Sequence, residues 1–600
     1  GRTLLDSDGL SSRPGSDLSA LRGKRSGSGP GVRLMASASS TPEVIDRAAK
    51  VYCRGELLDA VQRLRLFPDS KHFVDMPMRR EPEDVLAAFA ALPPAARADP
   101  EAVRSFVEGH FDEPGADLVP CTPADWPPEP PLLGRVADPA LRELLRALHA
   151  LWPTLCRTLA PRVLAAPQRT SALLRRCPVV LPGGRFRETY YWDSFWIVEG
   201  LVASGMVETA RGLVQNLLDD VEAFGFVPNG GRIYYLNRSQ PPLLCDMVAS
   251  VARAMGPSGS EFLGLAVPLL QREYDWWMSG EHVVEAGGFK LNRYSADWRA
   301  PRPESYGEDF QTAKGDEAVY KEIATAAETG WDFSSRWSRA GSRVGGTFSL
   351  PEMATTRVVP IDLNAILYRV ERTLAGLSEA VARQAPLADV EASVASGAPL
   401  TAPSAVALAC AAEKRKEAIN QLMWQPELRR WTDAWMAAGA DSDSQGSTAS
   451  AADSSATLAD FAAPLWAGLA IPSKHGDIVG ALQASGLLGA GGASTTVMAS
   501  GEQWDAPNAW PPLQSMLIEG LQQLDASSGG PPLAAELAQR WVGTCCTAWR
   551  QTGYMHEKYD ASRFGFGGSG GEYEPQVGFG WSNGAVLQML RDYGGSLVAP

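Results

Sequence analysis

The chain reads as an all-α fold, and three observations carry that reading. Apolar residues recur at helical spacing through most of it, alternating strand patterns are scarce, and the segments between helical patterns are long and rich in Trp, Gly, Pro and Arg. Long loops on a helical scaffold are where binding groups collect.

The clearest helix runs through Leu363, Leu367, Val370, Leu374, Leu377 and Val381, whose spacing alternates four and three and puts them all on one face. A second is expected from about Phe195 to Phe224, through Leu201, Leu213 and Leu217. Further helical patterns lie near 140–165, 245–255, 261–279, 405–423, 474–488, 513–524, 533–552 and 582–592, about a dozen helices in all. The alternating stretch 232–236 (Arg-Ile-Tyr-Tyr-Leu) reads as part of a loop.

Two segments stand apart. Residues 1–42 are rich in Ser, Gly and Arg without apolar periodicity and read as a disordered tail or targeting segment. Residues 437–459 are rich in Ala, Ser and Asp without large apolar anchors and read as a flexible surface insertion. With no fixed repeat and no linker between them, 43–600 is expected to be one catalytic domain. Gly1 stands where a Met would begin a complete chain and no signal-peptide core is visible, so the sequence leans towards the cytoplasm while leaving an organelle or secretion open.

Charge and composition narrow the function. A net charge of −14 and the lack of any long Lys/Arg run argue against nucleic acid as a partner. No run of about 18 apolar residues is present, so no membrane span is expected. The eight cysteines, at 53, 121, 156, 177, 245, 410, 545 and 546, form no CxxC pair and read as free, mostly buried thiols. The six histidines show no HExxH spacing, so neither a metal nor a cofactor is expected. Nothing in the sequence sets the oligomeric state.

Several motifs match by composition alone. Residues 565–570 spell GxGxxG and 567–571 spell GxSxG, but neither has the strand before and helix after that a dinucleotide site or a nucleophile elbow requires. Asp441, Asp443 and Gly446 begin like a calcium loop, yet Ala452 stands where the bidentate Glu belongs. Asn237-Arg238-Ser239 is a glycosylation sequon in a stretch expected to face substrate, where modification would block function.

Carboxylates, arginines and tryptophans are concentrated in a few segments: 182–193, 229–238, 301–304, 330–333, 503–507, 557–560 and 571–573. Carbohydrate recognition needs this mixture. A sugar leaving water demands many paired donors and acceptors, vicinal hydroxyls suit Arg, Asp, Glu, Asn and Gln, and the C–H faces of the ring suit aromatic rings. Hydrolysing a glycosidic bond needs two carboxyl groups, one protonated to assist the leaving oxygen and one that activates water or attacks the sugar. Residue types alone do not say which carboxyls form the pair.

At this point the strings resemble those of the trehalases, a family of inverting glycoside hydrolases. The stretch 182–193 (PGGRFRETYYWD) resembles that family's first signature and 503–512 (QWDAPNAWPP) its second, with Ala509 where glycine is frequent. Residues 69–75 (DSKHFVD), 362–364 and 568–573 also follow the family, and the resemblance spans roughly 43–592. It implies an (α/α)6 barrel with a pocket built from loops at one end. It implies Asp332 as general acid and Glu557 as general base. It further implies substrate contacts from Arg185, Phe186, Tyr190, Trp192, Asp193, Asn229, Arg238, Gln240, Arg302, Glu304, Gly330, Trp504 and Glu572. The implied reaction splits α,α-trehalose with inversion, for which the two carboxyls stand about 6.5–9.5 Å apart to admit water. Two other readings compete: a related (α/α)6 glucosidase acting on another saccharide, and a catalytically dead trehalose sensor, which the presence of both carboxyls disfavours.

Overall fold

The computed structural model describes residues 42–338, 348–436 and 455–600. The N-terminal tail, the calcium-loop-like residues and most of the 437–459 insertion lie outside the described residues.

Twelve of the helices alternate between two environments. In chain order they are α1 (Pro139–Leu155), α2 (Asp193–Ala203), α3 (Val207–Phe224), α4 (Leu244–Met255), α5 (Gly259–Trp277), α6 (Ile361–Arg383), α7 (Pro403–Leu422), α8 (Ala462–Trp466), α9 (His475–Ala484), α10 (Pro511–Gln522), α11 (Gly530–Thr552) and α12 (Gly580–Tyr593). The odd-numbered helices bury one face: in α5 the buried residues are Phe262, Leu263, Ala266, Leu270, Glu273 and Trp277, the stripe expected of a surface helix. The even-numbered helices are buried nearly all round; every residue of α8 and all but Val202 of α2 are buried. Each even helix packs on the next and α12 packs back on α2, which closes an inner ring of six inside an outer ring of six. This is the (α/α)6 barrel.

Ring closure depends on glycine. The backbones of α2 and α12 approach so closely that a Cβ on Gly584 would stand 1.9 Å from the Trp196 carbonyl oxygen, and one on Gly200 would stand 2.7 Å from the Gly584 Cα. An alanine at either position would force the helices apart.

The alternation also places the loops. Each inner helix follows an outer one and runs back antiparallel to it, so the segments entering the inner helices gather at one mouth. Residues 182–192 enter α2, 229–243 enter α4, 503–510 enter α10 and 557–579 enter α12. The inner-helix N-termini point their partial positive charge at that mouth and offset part of the cost of collecting carboxylates there.

Helices outside the barrel build the rest. Pro42–Tyr52, Glu56–Arg63, Pro82–Ala90 and Pro100–His110 form a second hydrophobic core that packs against Tyr190, Ile233, Tyr234 and Tyr235. Strands Leu118–Pro120, Cys156–Leu159 and Val179–Val180 form a small antiparallel sheet just before the first signature. Helices Tyr306–Ala313 and Glu317–Glu328 lie between α5 and α6.

Some expectations change. The single helix expected over 195–224 is two, because the chain turns at Gly205 (φ +79°). The pattern over 140–165 stops at Leu155, where Cys156–Leu159 joins the sheet and Pro161 begins a short helix. The insertion does not reach 459: Ala456, Leu458 and Ala459 are buried, and Thr457 and Asp460 cap a turn. Of the eight cysteines, four (Cys156, Cys245, Cys545 and Cys546) are buried, Cys410 is exposed, and all are free. In the sequon, Arg238 and Ser239 are buried and the Asn237 side-chain nitrogen is enclosed, so it is closed to a glycan. No described helix is long and apolar enough to cross a membrane.

Candidate active site

A cavity opens at the mouth of the barrel. It is lined by Arg185, Phe186, Tyr190, Trp192, Asp193, Asn229, Arg238, Gln240, Arg302, Glu304, Gly330, Asp332, Trp504, Glu557 and Glu572, so every candidate residue from the sequence faces one space. Tyr235, Ser305, Ala327, Gln503, Trp510, Tyr573, Phe579 and Trp581 also line it. Of these, Gln503 and Trp510 sit inside the second signature string and Tyr573 follows Glu572, so adjacency offered a signal; Ala327, Phe579 and Trp581 carried none.

Aromatic rings form one wall. Trp504 stacks on Trp510 with centroids 4.0 Å apart and planes 2° from parallel, and Trp331 stacks on the assembly at 5.4 Å. Trp192 and Trp581 close the same wall. Trp581 meets Trp192 and Trp510 edge to face, at 86° and 90°, so the wall offers both ring faces and ring edges to a pyranose.

The arginines are held by carboxylates in bidentate or buried pairs, which fixes their planes before any ligand arrives. Arg185 bonds both oxygens of Asp69 at 2.8 and 2.7 Å and lies 4.5 Å over the Tyr573 ring. Arg238 donates to Glu304 at 2.6 Å. Arg302 grips Asp309 at 2.9 and 2.7 Å and reaches Glu572 at 3.3 Å. Arg238 Nε and Glu304 Oε2 are buried without a protein partner, as polar groups awaiting a hydroxylated ligand would be.

Asp332 sits in a rigid loop after helix Glu317–Glu328. Asp505, fully buried, accepts from the Ser334 hydroxyl (2.9 Å), the Ser335 backbone N–H (2.8 Å) and the Ser335 hydroxyl (2.9 Å). Trp504 N–H donates to the Phe333 carbonyl at 3.0 Å, and Trp337 Nε1 to the Trp331 carbonyl at 2.9 Å. Asp505→Ala would leave several buried donors unpaired, at about 1–3 kcal/mol each. We expect a thermal midpoint several degrees lower and a kcat reduced at least tenfold; unchanged calorimetry and kinetics would remove Asp505 from this role.

The carboxyls differ in environment. Burial raises Asp332 to about 6, with Arg302, 4.0 Å away, pulling the other way. About 33% of its side chain remains reachable by water, so a ligand that displaces that water raises it further. Glu557 is 1% exposed, and burial raises it too, but its ionised form accepts from the Tyr573 hydroxyl at 2.7 Å and the Gln576 N–H at 3.0 Å, with Lys558 and Arg185 adding positive charge. Burial pushes Asp193 well up, helped by the charges of Glu557 and Asp332, and Glu572 up to about 8 against the pull of Arg302.

The N-terminal helices reach this site through buried charge. Lys71 bonds Glu188 at 2.8 Å and Asp75 at 2.5 Å, while Arg232, wholly buried, bonds Glu188 at 2.9 Å and Asp117 at 2.8 Å. The 69–75 segment thus anchors the first signature at Arg185 and at Glu188. Among the described residues no group of three or more His, Cys, Asp or Glu is arranged to hold a metal ion.

An (α/α)6 barrel whose mouth gathers carboxyls of unequal acidity, clamped arginines and a tryptophan wall is the build of a glycoside hydrolase. The family model described as Trehalase matches residues 65–594, and the chain belongs to that family. It is 38% identical over 561 residues to a trehalase of Oryctolagus cuniculus, covering 92% of this chain and 91% of that one. It is 36% identical to a trehalase of Apis mellifera, covering 92% and 85%. The solved neutral trehalase Nth1 of Saccharomyces cerevisiae shares the fold, with a TM-score of 0.53 at 24% identity over 70% of this chain and 75% of that one.

Proposed function

We propose that this protein hydrolyses α,α-trehalose to two molecules of glucose by single displacement with inversion, Asp332 acting as general acid and Glu557 as general base. Family membership supports the substrate; the unequal surroundings of the two carboxyls support the roles. Among the described residues no side chain donates a hydrogen bond to Asp332, and burial keeps its proton at hand for the bridging oxygen. Glu557 is held as an acceptor by Tyr573 and Gln576 and takes a proton from water on the opposite face of the ring. Arg185, Arg238 and Arg302 meet the hydroxyls, with Asn229, Gln240 and Glu304 beside them, and the tryptophan wall meets the apolar ring face.

The test is glucose release from trehalose followed by NMR. Inversion delivers one β-glucose and one α-glucose per turnover before mutarotation. Release of α-glucose alone, or activity confined to another disaccharide, would overturn this reading.

The pH dependence follows with a definite sign. The base must be ionised, so kcat/KM falls as pH drops through the Glu557 titration. The acid must be protonated, so kcat/KM falls again as pH rises through about 6, where Asp332 loses its proton in the free enzyme. The alkaline limb of kcat lies higher than that of kcat/KM, because bound sugar excludes water from Asp332. A kcat/KM that stays flat from about pH 5 to 8 would exclude Asp332 as the acid.

A further inference from the structure

Lys558 is a buried cation with no carboxylate at ion-pairing distance among the described residues. It is 0% exposed, and taking an ammonium group out of water is costly unless something holds it. Its Nζ donates to Gln503 Oε1 at 3.0 Å and to the Gly570 carbonyl at 2.8 Å, and lies 5.1 Å over the Trp510 ring.

These partners belong to two segments of the mouth, Gln503 and Trp510 to the one that enters α10 and Gly570 to the one that enters α12. Gln503, itself 2% exposed, uses its other amide atom to donate to the Asp332 backbone carbonyl at 2.5 Å. Gly570 stands two residues before Glu572 and three before Tyr573, whose hydroxyl holds Glu557. It has a φ of +80°, and a Cβ there would come within 2.5 Å of the Gly501 carbonyl, so only glycine brings this carbonyl over the ammonium. Lys558 is covalently next to Glu557. One ammonium group therefore ties the 557–558 and 568–573 stretches to Gln503, and through Gln503 to the Asp332 loop.

We propose that Lys558 is a positioning residue for the hydrolysis, setting the placement of Asp332 relative to Glu557 through Gln503 and Gly570 and holding Glu557 in its ionised form. This rests on the acid and base roles given above. The charges facing Lys558 are those of Glu557, Asp332 and Glu502, and the titratable groups facing Glu557 are Lys558, Arg185, Tyr573 and Asp193. Burial lowers Lys558 to about 8, so it is charged wherever the acid–base pair is competent.

The test compares Lys558→Met, Lys558→Gln and Glu557→Gln with the parent enzyme on trehalose, with circular dichroism to establish folding. In Lys558→Met, kcat falls by about 10²-fold with KM within threefold, and the acidic limb of kcat/KM moves to higher pH because the cation next to Glu557 is gone. Lys558→Gln keeps a donor but no charge; it recovers part of kcat and shows the same shift of the limb. A folded Lys558 variant with parental kcat, or one whose kcat drops while the acidic limb stays in place, overturns the proposal. Should neither neutral variant fold, Gln503→Met, which cuts the bridge from Lys558 to the Asp332 carbonyl, decides: kcat falls with KM within threefold if the bridge positions Asp332, and an unchanged kcat overturns the proposal. Glu557→Gln separates the two levels: if it stays active the acid–base reading fails, and if it is dead beside parental Lys558 variants only the positioning role fails.

Discussion

In Glu557→Gln, kcat on trehalose falls by about 10²–10⁴-fold while trehalose binding, measured by titration calorimetry, stays within a few-fold. The amide matches the carboxylate in size and keeps one acceptor for Tyr573 or Gln576, so the cavity survives. It loses the ability to take a proton from water, and that contribution exists only in the transition state. Tyr573 and Gln576 hold Glu557 on two sides, which keeps the substituted side chain in the parent's place. A variant that binds trehalose and still turns it over within tenfold of the parent would show that Glu557 is not the base.

Much of this site was legible in the sequence because its residues are clustered in strings that enter the inner helices. The barrel topology brings 182–193, 229–240, 330–333, 503–510 and 557–573 to one mouth, so residues remote in the chain share one cavity. The helices legible from periodicity were those with an apolar stripe or a long continuous pattern, α5, α6, α7 and α11 among them. The five-residue inner helix α8 has no room for a period, and the 317–328 helix that delivers Asp332 is buried mainly over its last turns, from Ile323 to Glu328. Clamps formed between distant residues carried no local signal: Asp69 with Arg185 lie 116 residues apart, and Asp505 with Ser335 lie 170 apart. The role of the 69–75 string, as an anchor for the first signature, became readable only through its partners.

Asp332→Asn separates the acid from the base by its dependence on the leaving group. On trehalose the departing glucose is a poor leaving group until the bridging oxygen is protonated, so kcat falls by about 10²–10⁴-fold. On α-glucosyl fluoride the departing fluoride needs little proton assistance, and the loss should be at least tenfold smaller. Glu557→Gln gives the contrasting result, with both substrates losing rate together, because both still need an activated water. The alkaline limb of the kcat/KM profile near pH 6, which reports the Asp332 proton, should also vanish in Asp332→Asn. Burial sets that limb: the same carboxyl in water would have ionised near pH 4 and would be a poor proton donor over most of the range in which Glu557 is ionised. Equal losses on the two substrates, with the alkaline limb still in place, would assign the proton to another carboxyl at the mouth. Glu572, raised to about 8 and reaching Arg302, would be the first to substitute in that case.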